Sequence, residues 1–545
     1  MSVLRIDHLH IALPSGGDRA FAVQDVSLSI AASKTLCVVG ESGSGKSVMA
    51  TAVMGLLAKE LTVTSGDIIL HGENLLHKSA TQLRQLRGRA MGMVFQEPMT
   101  ALNPVMRCGE QIDELLLTHT DWDANKRKRE VLAILERVKL PEPARMVESF
   151  PHQLSGGQRQ RIVIAMAAIL KPALLICDEP TTALDVTTQK EILRLIDDLQ
   201  REQGCAVLFI THDMGVVAEI ADEVLVMHQG RAVEQGAAQD VLQRPREAYT
   251  RMLLAAVPSM APPAARAAPM GEPRVRALSV CKTYTSRDWL GRAKHTQALL
   301  DASLSLHAGE TIGIVGESGS GKSTLARCIM RLIEPDAPRR AEPEQVGIAA
   351  EPQDQIFWAE HQVCSALENT LRPLRSFIQI VFQDPNRSLN PRRKVIDSII
   401  EGAMNFGVTR HESEILAAQL MEKVKLSPEA LQRYPSQFSG GQRQRLAIAR
   451  ALACKPQVLV ADEAVSALDV SVQAQIMQLL REVQAELGLG VLFITHDLRV
   501  AAQLCDRVIV MHQGRIVEQG ITAELYAHPQ HEYTQRLFAA APQGI

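Results

Sequence analysis

An eight-residue segment, GESGSGKS, occurs twice in the sequence, first from position 40 and again from position 316. Each copy follows a short apolar run and precedes a segment with helical periodicity. A glycine-rich turn between a strand and a helix can wrap a phosphate with its backbone N–H groups, and the lysine and serine can reach the outer phosphates and Mg²⁺. We therefore predict two triphosphate-binding loops, which consist of Gly40, Glu41, Ser42, Gly43, Ser44, Gly45, Lys46 and Ser47, and of Gly316, Glu317, Ser318, Gly319, Ser320, Gly321, Lys322 and Ser323.

Two further apolar runs, LLICDE and VLVADE, each end in an aspartate followed by a glutamate. Asp178 and Asp462 would hold Mg²⁺, whereas Glu179 and Glu463 would polarise an attacking water as general bases. A single pair of this kind is weak evidence, because many strands end in acidic residues. Here the pair follows an SGGQ segment at the same spacing in both halves. The pattern predicts hydrolysis of the bound triphosphate.

A glutamine and a histidine complete each set at the ends of other apolar runs, in MVFQ and IVFQ and in the two FITHD segments. The amide can ligate Mg²⁺ or orient water, and the imidazole can hydrogen-bond a terminal phosphate. Alone, each would more often be an ordinary surface or structural residue. We predict that Gln96, Gln383, His212 and His496 act in catalysis, and that the Mg²⁺ ligands are Ser47, Gln96, Asp178, Ser323, Gln383 and Asp462.

The SGGQ segments offer a second anion site in each half, because a serine and two glycines there open a strong helix. A nucleotide needs only one such site, so each half has one phosphate-binding end to spare. Two halves arranged head to tail would place the triphosphate-binding loop of one against the SGGQ of the other, with two nucleotides between them. The residues concerned are Ser155, Gly156, Gly157 and Gln158, and Ser439, Gly440, Gly441 and Gln442.

The landmarks show that one unit is written twice along the 545-residue chain. The same separation along the chain relates Asp178 to Asp462 and His212 to His496. We place one domain at 1–258, a linker rich in proline and alanine at 259–272, and a second domain at 273–545. Short buried runs alternating with helices predict an α/β fold with a largely parallel sheet, and the helical segments before SGGQ predict an inserted helical subdomain.

Composition narrows the function classes. The chain is 46% hydrophobic and 22% charged with a net charge of −3, which indicates globular cores and no general nucleic-acid binding. No apolar run reaches the roughly 20 residues that span a bilayer, and the N-terminus lacks the features of a secretory signal. The nine cysteines are scattered, which predicts reduced thiols and no iron–sulfur cluster.

The order of these motifs resembles the ATPase domain of ATP-binding cassette (ABC) proteins, over nearly the whole chain and twice. The resemblance implies a RecA-like core with an antiparallel β part, ATP and Mg²⁺ as ligands, and a D-loop at ALD, residues 183–185 and 467–469. It also implies an aromatic ring under the adenine, for which Tyr284 is suited, whereas the first half offers Leu13 there. The second half differs further at Ala464 and Val465 and in the segment 335–375, which lacks a glycine partner for the GDIILHGE hairpin at 66–73.

The segments FQEPMTALNP and FQDPNRSLNP and the paired tails REAYTRMLLAAVP and HEYTQRLFAAAP are similar to those of importers of peptides, nickel and glutathione. The resemblance is greatest to glutathione-importer ATPases and to the fused ATPase of the microcin-type peptide importer. It implies two integral-membrane permease subunits, an extracytoplasmic binding protein that delivers peptide, no nucleic acid, and a peripheral position on the cytoplasmic face of the inner membrane. The alternatives are a soluble tandem ABC ATPase of translation or DNA repair, and a scaffold with inactive cassettes.

Overall fold

Four β-sheets organise the chain, two in each half of the sequence. The computed structural model describes residues 2–14, 16, 19–182, 184–264, 271–287, 293–336, 355–466 and 468–541. The following parts of the sequence features lie outside these ranges: residues 265–270 of the linker, residues 337–354 of the segment 335–375, and residues 183 and 467 of the two D-loops.

The first half contains ten strands and eleven α-helices, counted over the described residues. The strands are β1 (Ser2–Ala12), β2 (Phe21–Ala31), β3 (Thr35–Val39), β4 (Thr62–Leu70), β5 (Glu73–Asn74), β6 (Met91–Val94), β7 (Leu174–Asp178), β8 (Ala206–Ile210), β9 (Glu223–His228) and β10 (Arg231–Ala237). The helices are α1 (Lys46–Val53), α2 (Ala80–Leu86), α3 (Pro98–Ala101), α4 (Cys108–His119), α5 (Ala124–Arg137), α6 (Pro143–Glu148), α7 (Gly156–Ala168), α8 (Val186–Gln203), α9 (Met214–Ile220), α10 (Ala238–Gln243) and α11 (Ala248–Ala255).

The second half repeats this order, except that the 3-10 turn Pro428–Gln432 stands in the place of α6. Its strands are β11 (Val275–Arg287), β12 (Ala293–Leu306), β13 (Thr311–Val315), β14 (Ile356–Trp358), β15 (His361–Gln362), β16 (Ile378–Val381), β17 (Val458–Asp462), β18 (Gly490–Ile494), β19 (Arg507–His512) and β20 (Arg515–Ile521). Its helices are α12 (Lys322–Ile329), α13 (Glu368–Leu374), α14 (Pro385–Ser388), α15 (Val395–Asn405), α16 (Arg410–Lys423), α17 (Gly440–Leu452), α18 (Val470–Leu487), α19 (Leu498–Leu504), α20 (Thr522–Ala527) and α21 (Glu532–Ala540). Short 3-10 turns lie at Leu75–His77, Pro151–Gln153, Pro428–Gln432 and Pro435–Gln437.

Each half combines a six-stranded, mostly parallel sheet with a four-stranded antiparallel sheet. The orders are β10-β9-β3-β8-β7-β6 and β2-β1-β4-β5 in the first half, and β20-β19-β13-β18-β17-β16 and β12-β11-β14-β15 in the second. The central strands are buried throughout, as expected for a parallel sheet covered on both faces. The predicted α/β fold, with its antiparallel part, is confirmed.

In each half, a helical layer lies between the triphosphate-binding loop and the SGGQ helix along the chain, as the sequence predicts. In the first half, Ile112 and Leu116 of α4 and Val131 and Leu135 of α5 are buried in one core that also contains residues of α7. The apolar positions of α5 recur at helical spacing on one side, while its other side carries arginine and lysine. The layer therefore rests on the helix that SGGQ opens.

The hairpin that lacks a glycine partner in sequence is nevertheless formed in the second half. β14 and β15 pair through Trp358 and His361, and Ala359 at the turn takes the left-handed conformation with φ 48°, as His71 does with φ 49°. Trp358 is fully buried, and its indole N–H donates to the carbonyl of Ile329 at 2.8 Å. Packing of the large aromatic ring thus accompanies a turn without the glycine of the first half.

Residues 259–264, which are the described start of the segment 259–272, contact the second half. The Gln503 amide donates to the carbonyl oxygens of Ser259 and Ala261 at 3.0 and 2.7 Å, and Met260 packs against the second core. The domain boundaries themselves stay a prediction. Over the part of the chain that the structure describes, no helix is both long and apolar enough to cross a membrane.

Candidate functional site

Glycines shape both triphosphate-binding loops for close approach of the backbone. Gly40 and Gly45 have φ angles of 149° and 100°, which disfavour any side chain. A Cβ at Gly40 would overlap the Met227 carbonyl oxygen, and one at Gly45 would overlap that of Ala22. The second loop has the same constraints, which concern Gly316 with Met511 and Gly321 with Ala298. The loops therefore require glycine for packing as well as for turning.

The first loop leads directly into the N-terminus of α1. This helix begins at Lys46 and has no side-chain cap, so its first-turn N–H groups point into the loop. The Lys46 ammonium donates to the carbonyls of Gly40 and Glu41 at 2.7 and 2.9 Å, and Lys322 makes the equivalent bonds at 2.7 Å each. An uncapped helix start, a glycine cradle and a buried lysine fit a phosphate chain.

A hydroxyl and a carboxylate meet beside each loop. Ser47 donates to Asp178 and Ser323 to Asp462, both at 3.0 Å. Burial raises the pKa of Asp178 to about 6 despite the Ser47 hydrogen bond, and burial likewise raises the pKa of Asp462. A hydroxyl oxygen beside a buried carboxylate offers two oxygen ligands, which fits a hard divalent cation. The predicted serine and aspartate ligands are thus adjacent in both halves.

Parallel strand register brings the other predicted residues to the same edge. β7 and β8 pair Asp178 with Ile210, and the backbone N–H of Glu179 donates to the Ile210 carbonyl at 2.9 Å. His212 follows two residues later. β3, which precedes the first loop, is the other parallel neighbour of β8. The carboxyl ends of three adjacent strands therefore supply the loop, the acidic pair and the histidine.

Glu179 is the point on which the remaining side chains converge. Its carboxylate accepts from the Gln96 amide and the Thr182 hydroxyl at 3.0 Å each and lies 3.3 Å from His212 Nδ1. The Gln96 amide, also predicted as a metal ligand, is thus hydrogen-bonded to the glutamate. Glu179 has a left-handed backbone with φ 46°, an uncommon conformation that is concentrated at functional sites.

The second half repeats this cluster with one difference. Gln383 donates to the Glu463 carboxylate at 2.6 Å, and His496 Nδ1 lies 3.5 Å from it. Ser466, at the position of Thr182, donates instead to the Glu463 backbone carbonyl at 3.0 Å. The second glutamate therefore lacks the hydroxyl bond that the first one has.

The glutamate and histidine of each half shift each other's pKa, because they lie within ion-pair distance. Burial opposes ionisation of Glu179, but the His212 hydrogen bond and charge, with help from Thr182, lower the pKa of Glu179 to about 2. Burial lowers the pKa of His212, and the nearby Glu179 outweighs it, so the pKa of His212 is raised. The same opposing effects lower the pKa of Glu463 and raise that of His496. Each glutamate is therefore an ionised carboxylate able to accept a proton from water.

The SGGQ segments cap α7 and α17. The Gln158 N–H donates to the Ser155 hydroxyl at 3.2 Å, and the Ser155 N–H donates back to the Gln158 side chain at 3.0 Å, with the same box at Ser439 and Gln442. A Cβ at Gly157 would lie 2.6 Å from Thr188 of α8. The glycine thus also permits close packing of α7 against α8.

The two halves touch through the helices that follow the acidic pairs. The Ser42 N–H of the first loop donates to Asp469 at 2.7 Å, and the Ser318 N–H of the second loop donates to Asp185 at 3.4 Å. Asp469 and Asp185 are the N-cap residues of α18 and α8. Both are the last residues of the ALD segments. Each triphosphate-binding loop is therefore contacted by the other half of the chain, in a reciprocal head-to-tail manner.

Two tyrosines contact the loops without having been predicted to do so. The Tyr249 hydroxyl accepts from the Glu41 N–H at 3.4 Å, and the Tyr533 hydroxyl accepts from the Glu317 N–H at 3.1 Å. His228 and His512 stack on these rings at 4.0 and 3.9 Å. The repeated tails REAYT and HEYT carry the signal, since a tyrosine recurs there at the same spacing from the acidic pair and the histidine of its own half.

The predicted adenine position differs between the halves. Tyr284 lies on β11 with 41% of its surface exposed. Leu13 is its counterpart, because the left-handed residues His8 (φ 46°) and Ser279 (φ 50°) lie five positions before each. The first half instead places Arg19 beside its loop, where the guanidinium donates to the Gly43 carbonyl. The sequence motifs alone assign no role to this arginine.

A family model described as "ABC transporter" matches residues 23–182 and 299–466, and one described as "Oligopeptide/dipeptide transporter, C-terminal region" matches residues 233–294. The chain is 44% identical to the glutathione import ATP-binding protein GsiA of Shigella dysenteriae serotype 1 (strain Sd197) and 43% identical to that of Escherichia coli (strain K12). Each alignment covers 99% of this chain and 90% of the relative.

Among solved structures, the dimeric post-hydrolysis ATP-binding cassette MJ0796 bound to ADP and Pi aligns with 43% of this chain and 98% of its own at 27% identity and a TM-score of 0.39. The ABC transporter model matches both halves of the chain, and the relatives named above are more than 40% identical to it over nearly its full length. Both halves therefore carry one set of nucleotide-site motifs. The chain belongs to the ATP-binding proteins of the ABC transporter family, and it is an ATPase.

Proposed function

We propose that this chain is the ATP-hydrolysing motor of a binding-protein-dependent importer of peptides, a class that includes glutathione. The single observation that carries the proposal is the reciprocal contact of two nucleotide sites, each with the same lysine, serine, aspartate and glutamate, with the opposite half of a chain that has the oligopeptide/dipeptide C-terminal region. We call the set around Lys46, Ser47, Asp178 and Glu179 site 1, and the set around Lys322, Ser323, Asp462 and Glu463 site 2.

The residues of each site divide the work of hydrolysis. The loop N–H groups and Lys46 bind the phosphate chain, and Ser47 and Asp178 would hold Mg²⁺, which when bound neutralises charge on the phosphate oxygens. Glu179 accepts the proton of the attacking water. His212 keeps Glu179 ionised, and Gln96 orients its carboxylate. SGGQ of the opposite domain is proposed to close over the terminal phosphate, so that two ATP molecules join the two domains.

Exposed apolar residues beside the glutamine of site 1 support docking to membrane subunits. Phe95 directly precedes Gln96 and exposes 38% of its surface, and Met99 within α3 and Val105 after it expose 45 and 80%. In the second half, Phe382 exposes 37% in the same position before Gln383. We propose that each patch receives a cytoplasmic segment of one of two permeases, which places the chain peripherally on the cytoplasmic face of the inner membrane. An extracytoplasmic binding protein would deliver the peptide.

The alternative is a tandem ABC ATPase of translation or DNA repair. The oligopeptide/dipeptide C-terminal region and the importer names of the relatives favour the transport role. Both glutamates are also ionised and oriented, which favours active sites over an inactive scaffold.

The test is uptake of dipeptide and of glutathione by proteoliposomes that contain the chain with its permeases and binding protein. ATP-dependent uptake is expected, and Lys46→Ala with Lys322→Ala should abolish it, because both phosphate chains lose their buried cation. Lys139→Ala is the matched control, since among the described contacts the Lys139 ammonium makes an exposed ion pair with Asp198. Normal uptake by the double lysine variant would contradict the site assignment. ATP hydrolysis without uptake of any peptide would contradict the transport role.

A further inference from the structure

Arg499 joins the two halves of the chain in a cleft that is lined by residues of both halves. The Arg499 guanidinium donates to both oxygens of Asp213 in the first half, at 3.0 Å each. It also donates to Asp497 in its own half at 3.1 and 3.2 Å. Arg499 is therefore shared by two carboxylates that come from different domains.

The arginine of this contact is buried, and its two carboxylate partners are partly buried. Arg499 exposes only 8% of its surface, and Asp213 is held further by the Gly215 N–H at 2.9 Å as the N-cap of α9. Buried arginine with a planar fork of donors suits a bidentate carboxylate contact. Removal of the arginine alone would leave the carboxylates of Asp213 and Asp497 facing each other without a cation, which is strongly unfavourable in a buried place.

The contact is also one-sided. The two halves read THDMG and THDLR here, so Gly215 stands at the position of Arg499. Asp213 and Asp497 play the same capping role at the starts of α9 and α19. The guanidinium of Arg499 therefore serves both loops, and Gly215 has no side chain with which to return the contact.

The loops so joined are those that bear the site histidines. His212 immediately precedes Asp213, and His496 immediately precedes Asp497. These histidines pair with Glu179 and Glu463, and all four loop residues line one cleft between the domains together with Arg499. A shift of either histidine loop must therefore move the arginine or break one of its two contacts.

We propose that Arg499 is a positioning residue that couples the two ATP sites, by tying the histidine loop of site 1 to that of site 2. This inference rests on the proposed two-site function. Binding of ATP at one site then changes ATP binding at the other site through the shared guanidinium. This coupling depends on the planar fork of guanidinium N–H donors as well as on the charge of Arg499.

The test is the ATP dependence of phosphate release by the full-length chain. The wild type is expected to give a sigmoidal curve. Arg499→Gly, which copies Gly215, should lower the Hill coefficient to about 1 and raise the half-saturating ATP concentration about tenfold or more. Arg499→Lys keeps the charge without the fork and should fall between the two. Arg410→Ala is the matched control and should leave the curve unchanged. Arg410 forms exposed ion pairs with Glu414 of α16 and Asp397 of α15.

A fourth variant separates coupling from folding. Arg499→Gly with Asp213→Asn removes one of the two uncompensated carboxylates, and with it the repulsion between them, while the amide oxygen can still cap α9. It should recover the thermal stability that Arg499→Gly loses but not the sigmoidal curve. A hyperbolic wild-type curve, or an unchanged Hill coefficient in a folded Arg499→Gly or double variant, would overturn the coupling while leaving two-site hydrolysis intact. Absence of hydrolysis by the wild type would instead overturn the proposed function.

Discussion

Site 1 and site 2 offer the same atoms for phosphate binding and surround them with different side chains. The lysine, serine and aspartate contacts agree between the halves to within 0.2 Å where the distances are 2.7 to 3.0 Å. The differences lie at the adenine position, at the glutamate and at the interface between the halves. The two halves thus share the lysine, serine and aspartate that we propose to bind the phosphates and Mg²⁺. They differ in the residues that we propose to set ATP affinity, the pKa of the glutamate and the coupling between the sites.

Loss of either general base should have the largest effect and tests whether the sites are equal. Glu179→Gln or Glu463→Gln keeps the hydrogen-bonding shape but removes the proton acceptor, so turnover at that site should fall about 10²–10⁴-fold. The measurement is single-turnover phosphate release, with retained nucleotide counted per chain. The double variant should hold two ATP molecules.

Glu114→Gln, on the exposed face of α4, is the matched control and should hydrolyse ATP normally. Near-normal hydrolysis by the double glutamine variant would show that another residue is the base. A large loss from one substitution only would show that the sites differ in activity and not just in their surroundings.

The adenine position should give the next largest effect. Tyr284→Leu should weaken ATP binding at site 2 about tenfold, since stacking of a base on an aromatic ring contributes about 1–3 kcal/mol. Leu13→Tyr should strengthen site 1 by a similar factor. Titration calorimetry with MgATP, in the background with both glutamates replaced, checks both. If Leu13→Tyr has no effect while Arg19→Ala weakens site 1, then the arginine beside Gly43 takes the place of the ring.

The contacts across the interface should give a smaller, unequal effect. Asp469 accepts from loop 40–47 at 2.7 Å, and Ser471 of the same helix also donates to Glu41, whereas Asp185 lies 3.4 Å from Ser318. Asp469→Asn should therefore reduce turnover at site 1 about threefold, and Asp185→Asn should change site 2 less. Single-site turnover in the Glu463→Gln and Glu179→Gln backgrounds checks the order. Equal losses would mean that the difference in distance has no functional consequence.

The smallest effect concerns the hydroxyl on Glu179. The Thr182 bond is one of the interactions that lower the pKa of Glu179, so Thr182→Val should raise that pKa and move the acid limb of the pH–rate profile to higher pH. The sign follows because a carboxylate with a higher pKa becomes protonated sooner as the pH falls. Ser466→Ala should leave the acid limb of site 2 in place, since Ser466 bonds only the backbone carbonyl of Glu463 among the described contacts. The profiles are measured with the other site inactivated.

Much of the candidate site could be predicted because its chemistry is local. The glycines of the two loops, the acidic pairs and the SGGQ helix starts each lie within a few residues of one another, so spacing alone indicates their roles. The hairpin at 356–362 shows the limit, since Ala359 takes a left-handed conformation that sequence favours for glycine, next to the buried ring of Trp358. Tyr249 could have been found from the repeated tails, but its hydrogen bond to Glu41 spans most of a domain.

By itself, the sequence determined that two phosphate-binding units stand in tandem, with the same catalytic residue types in the same order. Those features depend on backbone conformation and on side chains that are neighbours along the chain. Only the tertiary structure decided that Asp469 reaches Ser42, that Arg499 reaches Asp213 and that Arg19 takes a place beside Gly43. The first two pairs lie hundreds of residues apart, and their meeting depends on how two separately folded surfaces dock, which no local periodicity or spacing encodes.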